Sequence, residues 1–183
     1  WAPLTVPDGA AGIDRVILVD TTRRLTSMAV VSNDPAAVRV QTGASMDDLL
    51  AFLEVHGLGV TNTPAPGDLS VGGVLAINGH GTSVPADGET LPPGHTYGSL
   101  SNLILSLTAV VWDATAGQYR LRTFDRADPG CAALLTHVGR AFLTLEAWAR
   151  PLAGASALVV LLASFLPARR ASEVDPAEAL RGE

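Results

Sequence analysis

The sequence predicts an α+β fold, on three observations. Short apolar runs with strand-like alternation stand in both halves of the chain. One amphipathic helix with capping residues at both ends lies between them. A stretch unusually rich in glycine, residues 63–82 (TPAPGDLSVGGVLAINGHGT), then separates that helix from a second pair of strands. With 183 residues and 48% hydrophobic composition, the chain can form one domain core and a short appendage.

In chain order, residues 13–20 (IDRVILVD) are expected to form a strand, and residues 27–31 a second. Residues 38–41 alternate as a half-buried strand does and stop at Thr42-Gly43. Ser45 opens a helix: its hydroxyl can accept the N–H of Asp48, whose carboxylate can reach back, a capping box with Asp in place of Glu. Met46, Leu49, Leu50 and Leu53 share one face, and His56-Gly57 closes the helix with glycine at the left-handed position. His56 there suits the negative end of the helix dipole.

Within the glycine stretch, Val71, Val74, Leu75 and Ala76 can anchor a short buried helix or strand. Gly67, Gly72, Gly73, Gly79 and Gly81 lack a Cβ, so the backbone can approach a bound group. His80, between two glycines, is left unshielded by its neighbours. Two readings stand side by side, an ordinary surface turn and a ligand-binding turn that presents one nucleophilic imidazole. A Walker A loop is excluded because no Gly-Lys-Ser/Thr follows, and Gly72-Gly73 has the wrong spacing for a dinucleotide fingerprint. His56, His80, His95, His137 and Cys131 show no metal-ligand spacing.

Residues 83–95 carry Pro85, Pro92 and Pro93 and read as loop. Tyr97 to Ser101 reads equally as a simple strand entry or as a stretch that lines a ligand with the Gly98 backbone and the Ser99 hydroxyl. Residues 103–113 (LILSLTAVVWD) are expected as a long strand, residues 114–117 as a turn and residues 118–124 as the returning strand of a hairpin. Asp128-Pro129 can cap a helix over residues 131–138, in which Cys131 is a small buried side chain. Residues 151–168 (PLAGASALVVLLASFLPA) hold 18 residues without a charge, close to the length of a membrane span, with Arg169 and Arg170 behind them. A helix over residues 152–166 that drives membrane association or aggregation is the expectation.

A net charge of −6, with no basic stripe, argues against nucleic acid as a partner. All 12 basic residues are arginine, a compositional bias with no functional reading. The single cysteine excludes an intrachain disulfide. Residue 1 is Trp and no leader pattern follows it, so the chain is expected to begin inside a longer coding sequence.

Five segments, in order, resemble the FAD-binding domain of the vanillyl-alcohol oxidase and p-cresol methylhydroxylase (PCMH) superfamily. Within it they resemble the covalent-flavin (type II) bacterial cholesterol oxidases. They are WAPLTV (1–6), VRVQTGASMDDLLAFLEVHGLG (38–59), PAPGDLSVGGVLAINGHGTSVPA (64–86), HTYGSLSNLI (95–104) and GRAFLT (139–144). The resemblance implies a PCMH-type FAD-binding domain fragment over residues 1–148, with FAD as cofactor and His80 bonded to the flavin 8α-methyl carbon. It implies that Gly72, Gly73, Asn78, Gly79, Gly81, Thr82, Gly98 and Ser99 bind the cofactor, and that residues 140–145 are the last strand of the domain. The implied substrate of the parental oxidase is a small-molecule alcohol or sterol. No catalytic residue is assigned and no metal is expected.

Residues 149–183 form the second part, an apolar helix and a tail. Residues 167–183 resemble the end of ABC-transporter permeases of the macrolide-export and lipoprotein-release type. In the family a pyrophosphate-binding loop precedes the WAPLT segment and a substrate domain follows, so the chain is expected to be inactive alone. The alternatives are a membrane-anchored remnant of a permease fusion and a non-covalent flavin module of the same fold.

Overall fold

The alternation of apolar and polar residues in the strands produces a sheet with one face on the core. A computed structural model describes residues 19–82, 86–91, 95–138, 143–149 and 151–153. Its centre is a five-stranded antiparallel sheet built from two hairpins and one joining strand. The first hairpin is β1 (Met28–Asn33) and β2 (Ala36–Gln41). The second is β4 (Ile104–Asp113) and β5 (Gln118–Asp125), as residues 103–113 and 118–124 predict. β6 (Leu143–Ala149) enters last and lies between β2 and β4, giving the order β1-β2-β6-β4-β5.

Register decides which residues are buried. Val38 faces Ala149 and Val40 faces Ala147 across β2 and β6, and Leu107 faces Phe124 across β4 and β5. These residues line one side of the sheet. Against it packs α1 (Met46–Val55), which buries Met46, Leu49, Leu50 and Leu53, the four residues its spacing singles out. Ser45 caps it, its Oγ accepting the Asp48 N–H at 3.0 Å. At the other end the His56 Nδ1–H donates to the Phe52 carbonyl at 2.7 Å, and Gly57 takes φ 67°. The opposite face of the sheet carries an Arg39–Glu146 ion pair at 3.7 Å and a Thr108–Thr123 hydroxyl contact at 2.9 Å.

A second, shorter helix, α2 (Val71–Ala76), settles the helix-or-strand alternative, with Val71, Val74, Leu75 and Ala76 all buried. Several expectations need correction. Leu100–Leu103 forms a 3-10 turn ahead of β4, because the Asn102 N–H returns to the Ser99 carbonyl at 3.0 Å. The helix expected over residues 131–138 is only α3 (Cys131–Leu135). It stops where Thr136 becomes extended and Val138 turns to φ 56° to donate its N–H to the Ala76 carbonyl. The expected last strand at residues 140–145 runs on to Ala149, while residues 139–142 lie outside the described residues. The strand expected at residues 13–20 falls outside them up to residue 18, and Val19 and Asp20 are not in a strand.

The expected C-terminal apolar helix does not begin at residue 152. Leu152–Ala153 is instead a short strand, β7, paired antiparallel with β3 (Leu58–Gly59). Backbone pairing with β3 meets the hydrogen-bonding demand of these two residues and holds the end of β6 against the domain. The remainder of the uncharged run and the permease-like residues 167–183 lie outside the described residues. Among the described residues no helix is long and apolar enough to cross a membrane.

Candidate functional site

Between sheet and helices lies an apolar cavity of about 20 Å³, bounded by Val38, Leu53, Leu75, Ile104 and Pro151 among others. Ligand sites are more than tenfold larger, typically about 300–1,000 Å³. That cavity is too small to hold a cofactor, and the glycine stretch, whose Val71 and Leu75 help to line it, emerges from it at the surface.

That stretch leaves α2 through a left-handed turn. Asn78 takes φ 59°, a conformation asparagine tolerates better than most residues, and its N–H returns to the Leu75 carbonyl at 3.1 Å. The Gly79 N–H returns to the Val74 carbonyl at 2.8 Å. The chain then straightens, and His80 forms an antiparallel bridge with Ser99, next to the 2.9 Å bond from the Leu100 N–H to the Gly79 carbonyl. His80 is exposed. Its Nδ1–H donates to the Gly81 carbonyl at 2.9 Å, so in the neutral imidazole the lone pair sits on Nε2.

The structure thus brings Asn78, Gly79, His80, Gly81 and Thr82 together with Gly98 and Ser99. Gly72 and Gly73 lie at the other end of α2, about 9 Å away along a six-residue helix at roughly 1.5 Å per residue. Several of the glycines have a reason inside the protein. A Cβ on Gly79 would meet Val74 Cγ1 at 2.5 Å, and one on Gly81 would meet Asn62 Oδ1 and the Thr63 carbonyl at 2.5 Å. The Gly72 N–H is engaged with the Thr42 carbonyl at 2.8 Å and that of Gly73 with Ser70 Oγ at 3.2 Å. Gly98, at φ 116°, occupies a region that only glycine adopts readily.

The neighbouring loop is tied to the same place. The Glu89 carboxylate accepts the Ala86 N–H at 2.8 Å and the Tyr97 hydroxyl, and these bonds hold its pKa below the usual value. Partial burial, with the Glu89 charge beside it, pushes the Tyr97 hydroxyl up. Two residues with no signal in the sequence also belong here. Asn62 is 2% exposed and accepts the Gly81 N–H on Oδ1 at 2.5 Å, and Val138 holds the Ala76 carbonyl from a backbone conformation rare for a β-branched residue.

A family model described as an FAD binding domain matches residues 5–116. The chain belongs to that FAD-binding family. Solved structures place it more finely, as a PCMH-type FAD-binding fold related to cholesterol oxidases. A solvent-stable cholesterol oxidase is 57% identical over 74% of this chain and 25% of its own, with a TM-score of 0.71. The cholesterol oxidase from Brevibacterium sterolicum is 45% identical over 84% of this chain and 28% of its own, with a TM-score of 0.75. A His-to-Ala mutant of that enzyme matches with a TM-score of 0.76. Alkyldihydroxyacetonephosphate synthase, at 19% identity and a TM-score of 0.53, shares the fold alone. No curated protein sequence matches. The chain spans only about a quarter of the length of the oxidases it matches.

FAD is the cofactor indicated by this family membership, and the residues present fit it. The His80 ring is exposed on a turn fixed by main-chain bonds, and Asn78, Thr82 and Gly98 beside it are exposed as well.

Proposed function

We infer that the chain is the flavin-binding part of an FAD-dependent oxidase acting on a small-molecule alcohol or sterol, with His80 as the covalent attachment point of the flavin. The observation that carries this reading is the exposed His80, held beside Ser99 in a chain 57% identical to a solved cholesterol oxidase. When bound, FAD supplies the two-electron acceptor, both for the hydride of the alcohol and for forming its own bond to histidine.

The protein's part is positional. The Asn78-Gly79 turn and the bridge to Ser99 fix where the imidazole stands, so attack requires no loop ordering at that moment. The Gly81 carbonyl accepts the Nδ1 proton and thereby sets the tautomer. Bonding through Nε2 leaves that contact in place, whereas bonding through Nδ1 requires it to break. Gly72, Gly73, Gly81, Thr82, Gly98 and Ser99 are the further cofactor contacts of this reading.

The test is acid precipitation after incubation with FAD. In a chain that also carries the upstream pyrophosphate-binding loop the resemblance implies, covalent flavin is expected to stay with the denatured wild-type protein, and His80→Ala is expected to release all of it. Retention of flavin by His80→Ala would overturn the assignment, and complete release from the wild type would favour a non-covalent flavin module. Alcohol turnover is assigned to a longer oxidase chain, so a peroxide-coupled assay with cholesterol is expected to show residues 1–183 no faster than free FAD.

A further inference from the structure

The geometry points to Asn62 as the positioning residue of His80, a role that rests on the tether reading above. Three observations carry it. First, Asn62 is an uncharged polar side chain at 2% exposure, and a buried amide needs partners to offset its lost hydration. Its Oδ1 finds one in the N–H of Gly81, the residue directly after His80, at 2.5 Å. Second, Gly81 lies close against that floor, since a Cβ there would meet both Asn62 Oδ1 and the Thr63 carbonyl. Third, the same segment reaches the opposite side of the His80–Ser99 bridge. The Thr61 hydroxyl donates to the Thr96 carbonyl at 3.4 Å, three residues ahead of Ser99.

Residues 61–63 therefore brace both arms of the bridge that presents the imidazole. Asn62 is the member whose side chain does so from the interior. Among the described residues the other restraints on the turn are the His80 Nδ1–H bond to the Gly81 carbonyl and main-chain bonds, from Leu100 to Gly79, Gly79 to Val74, Asn78 to Leu75 and Val138 to Ala76, all of which substitution of Asn62 leaves in place. Removing the Asn62 amide frees the Gly81 N–H and lets the turn rotate about Gly79 and Gly81. The His80 ring then samples positions away from a bound flavin, and the attachment reaction slows without loss of the core.

Asn62→Ala and Asn62→Asp separate this role from general stability, because Asp keeps an oxygen acceptor at the same place. Amide hydrogen exchange by NMR is read at Gly81 and, as a control, at Leu107 in the centre of β4. Flavin attachment on incubation with FAD is read as acid-stable absorbance over time. The expected result is that Asn62→Ala speeds Gly81 exchange at least tenfold, leaves Leu107 unchanged and slows attachment at least tenfold. Asn62→Asp is expected to restore both. In the wild type alone, Gly81 is expected to exchange at least tenfold more slowly than its exposed neighbour Thr82, a comparison that stands even where a variant fails to fold.

Unchanged Gly81 exchange in Asn62→Ala, or an unprotected Gly81 in the wild type, would overturn the bracing. Faster exchange with unchanged attachment would overturn the positioning role. A wild-type chain that gains no acid-stable flavin would instead remove the tether reading, and the exchange data would still report on the brace.

Discussion

The segment around His80 and the outer end of the β4–β5 hairpin both present exposed side chains near a glycine, but they are held in different ways. The His80 turn receives contacts from Asn62, Val74, Ser99-Leu100 and, through Ala76, Val138, segments spread over much of the sequence. The hairpin end is local. Asp113 accepts the N–H groups of Thr115 and Ala116, both at 3.0 Å, and Gly117 completes the turn at φ 60° with no atom of the described residues within 4 Å of where its Cβ would stand. Trp112, Tyr119 and Leu121 stand 57%, 70% and 65% exposed there, Trp112 and Tyr119 meeting edge to face at 5.2 Å. A turn that only reverses the chain needs local bonds, whereas one that must present a side chain in a fixed place is pinned from afar.

Adding a methyl group at each glycine gives the largest contrast. Gly81→Ala is expected to destabilise by about 2–3 kcal/mol in chemical denaturation, since the new Cβ collides with a buried amide oxygen and a carbonyl. Gly117→Ala meets open space, and its cost is only the left-handed backbone, about 1 kcal/mol. Equal effects at the two sites would erase the distinction. A smaller effect is expected from Leu121→Thr on the hairpin, within about 0.5 kcal/mol, because little of this side chain is removed from water.

The smallest expected effect concerns pH. Burial lowers the pKa of His137, the residue before Val138, from its ordinary value of 6.5. The unfolded chain takes up that proton first as pH falls, so stability is lost below about pH 6.5 and the loss levels off below the folded-state pKa. Thermal melts from pH 8 to pH 5 should therefore fall less steeply for His137→Gln than for the wild type. Parallel profiles would show that this end of the Val138 brace carries no buried histidine.

What could be read from the sequence follows the same division between local and distant. The α1 helix was legible because its cap, its apolar face and its closing glycine all lie within Ser45 to Gly57. The β4–β5 hairpin was legible from alternation and a turn. The position of β6 between the two hairpins was not, since it depends on pairing residues more than a hundred positions apart, such as Val38 with Ala149. The end of the domain misled for a related reason. An uncharged run suits a helix or a strand equally, and the partner that makes Leu152–Ala153 a strand is Leu58–Gly59, far back in the chain.

At the site, His80 and Ser99 could be found from their glycine neighbours and from family resemblance. Asn62 could not, because one asparagine in a Thr-Asn-Thr segment carries no sign that it will be buried. Val138 was hidden as well, since its backbone conformation runs against the preference of its residue type. Spacing alone also does not tell which side of a glycine is occupied. Gly79 and Gly81 are small on account of Val74, Asn62 and Thr63, whatever lies on their other side.

In the proposed function this pinned turn holds one imidazole against a flavin. Peptide mass spectrometry of the chain after incubation with FAD checks this at the residue itself. The peptide containing His80 is expected to gain the mass of FAD less two hydrogens, and peptides carrying His56, His95 or His137 are not. Flavin found on another residue, or an unmodified His80 peptide from a chain that has retained FAD, would contradict it.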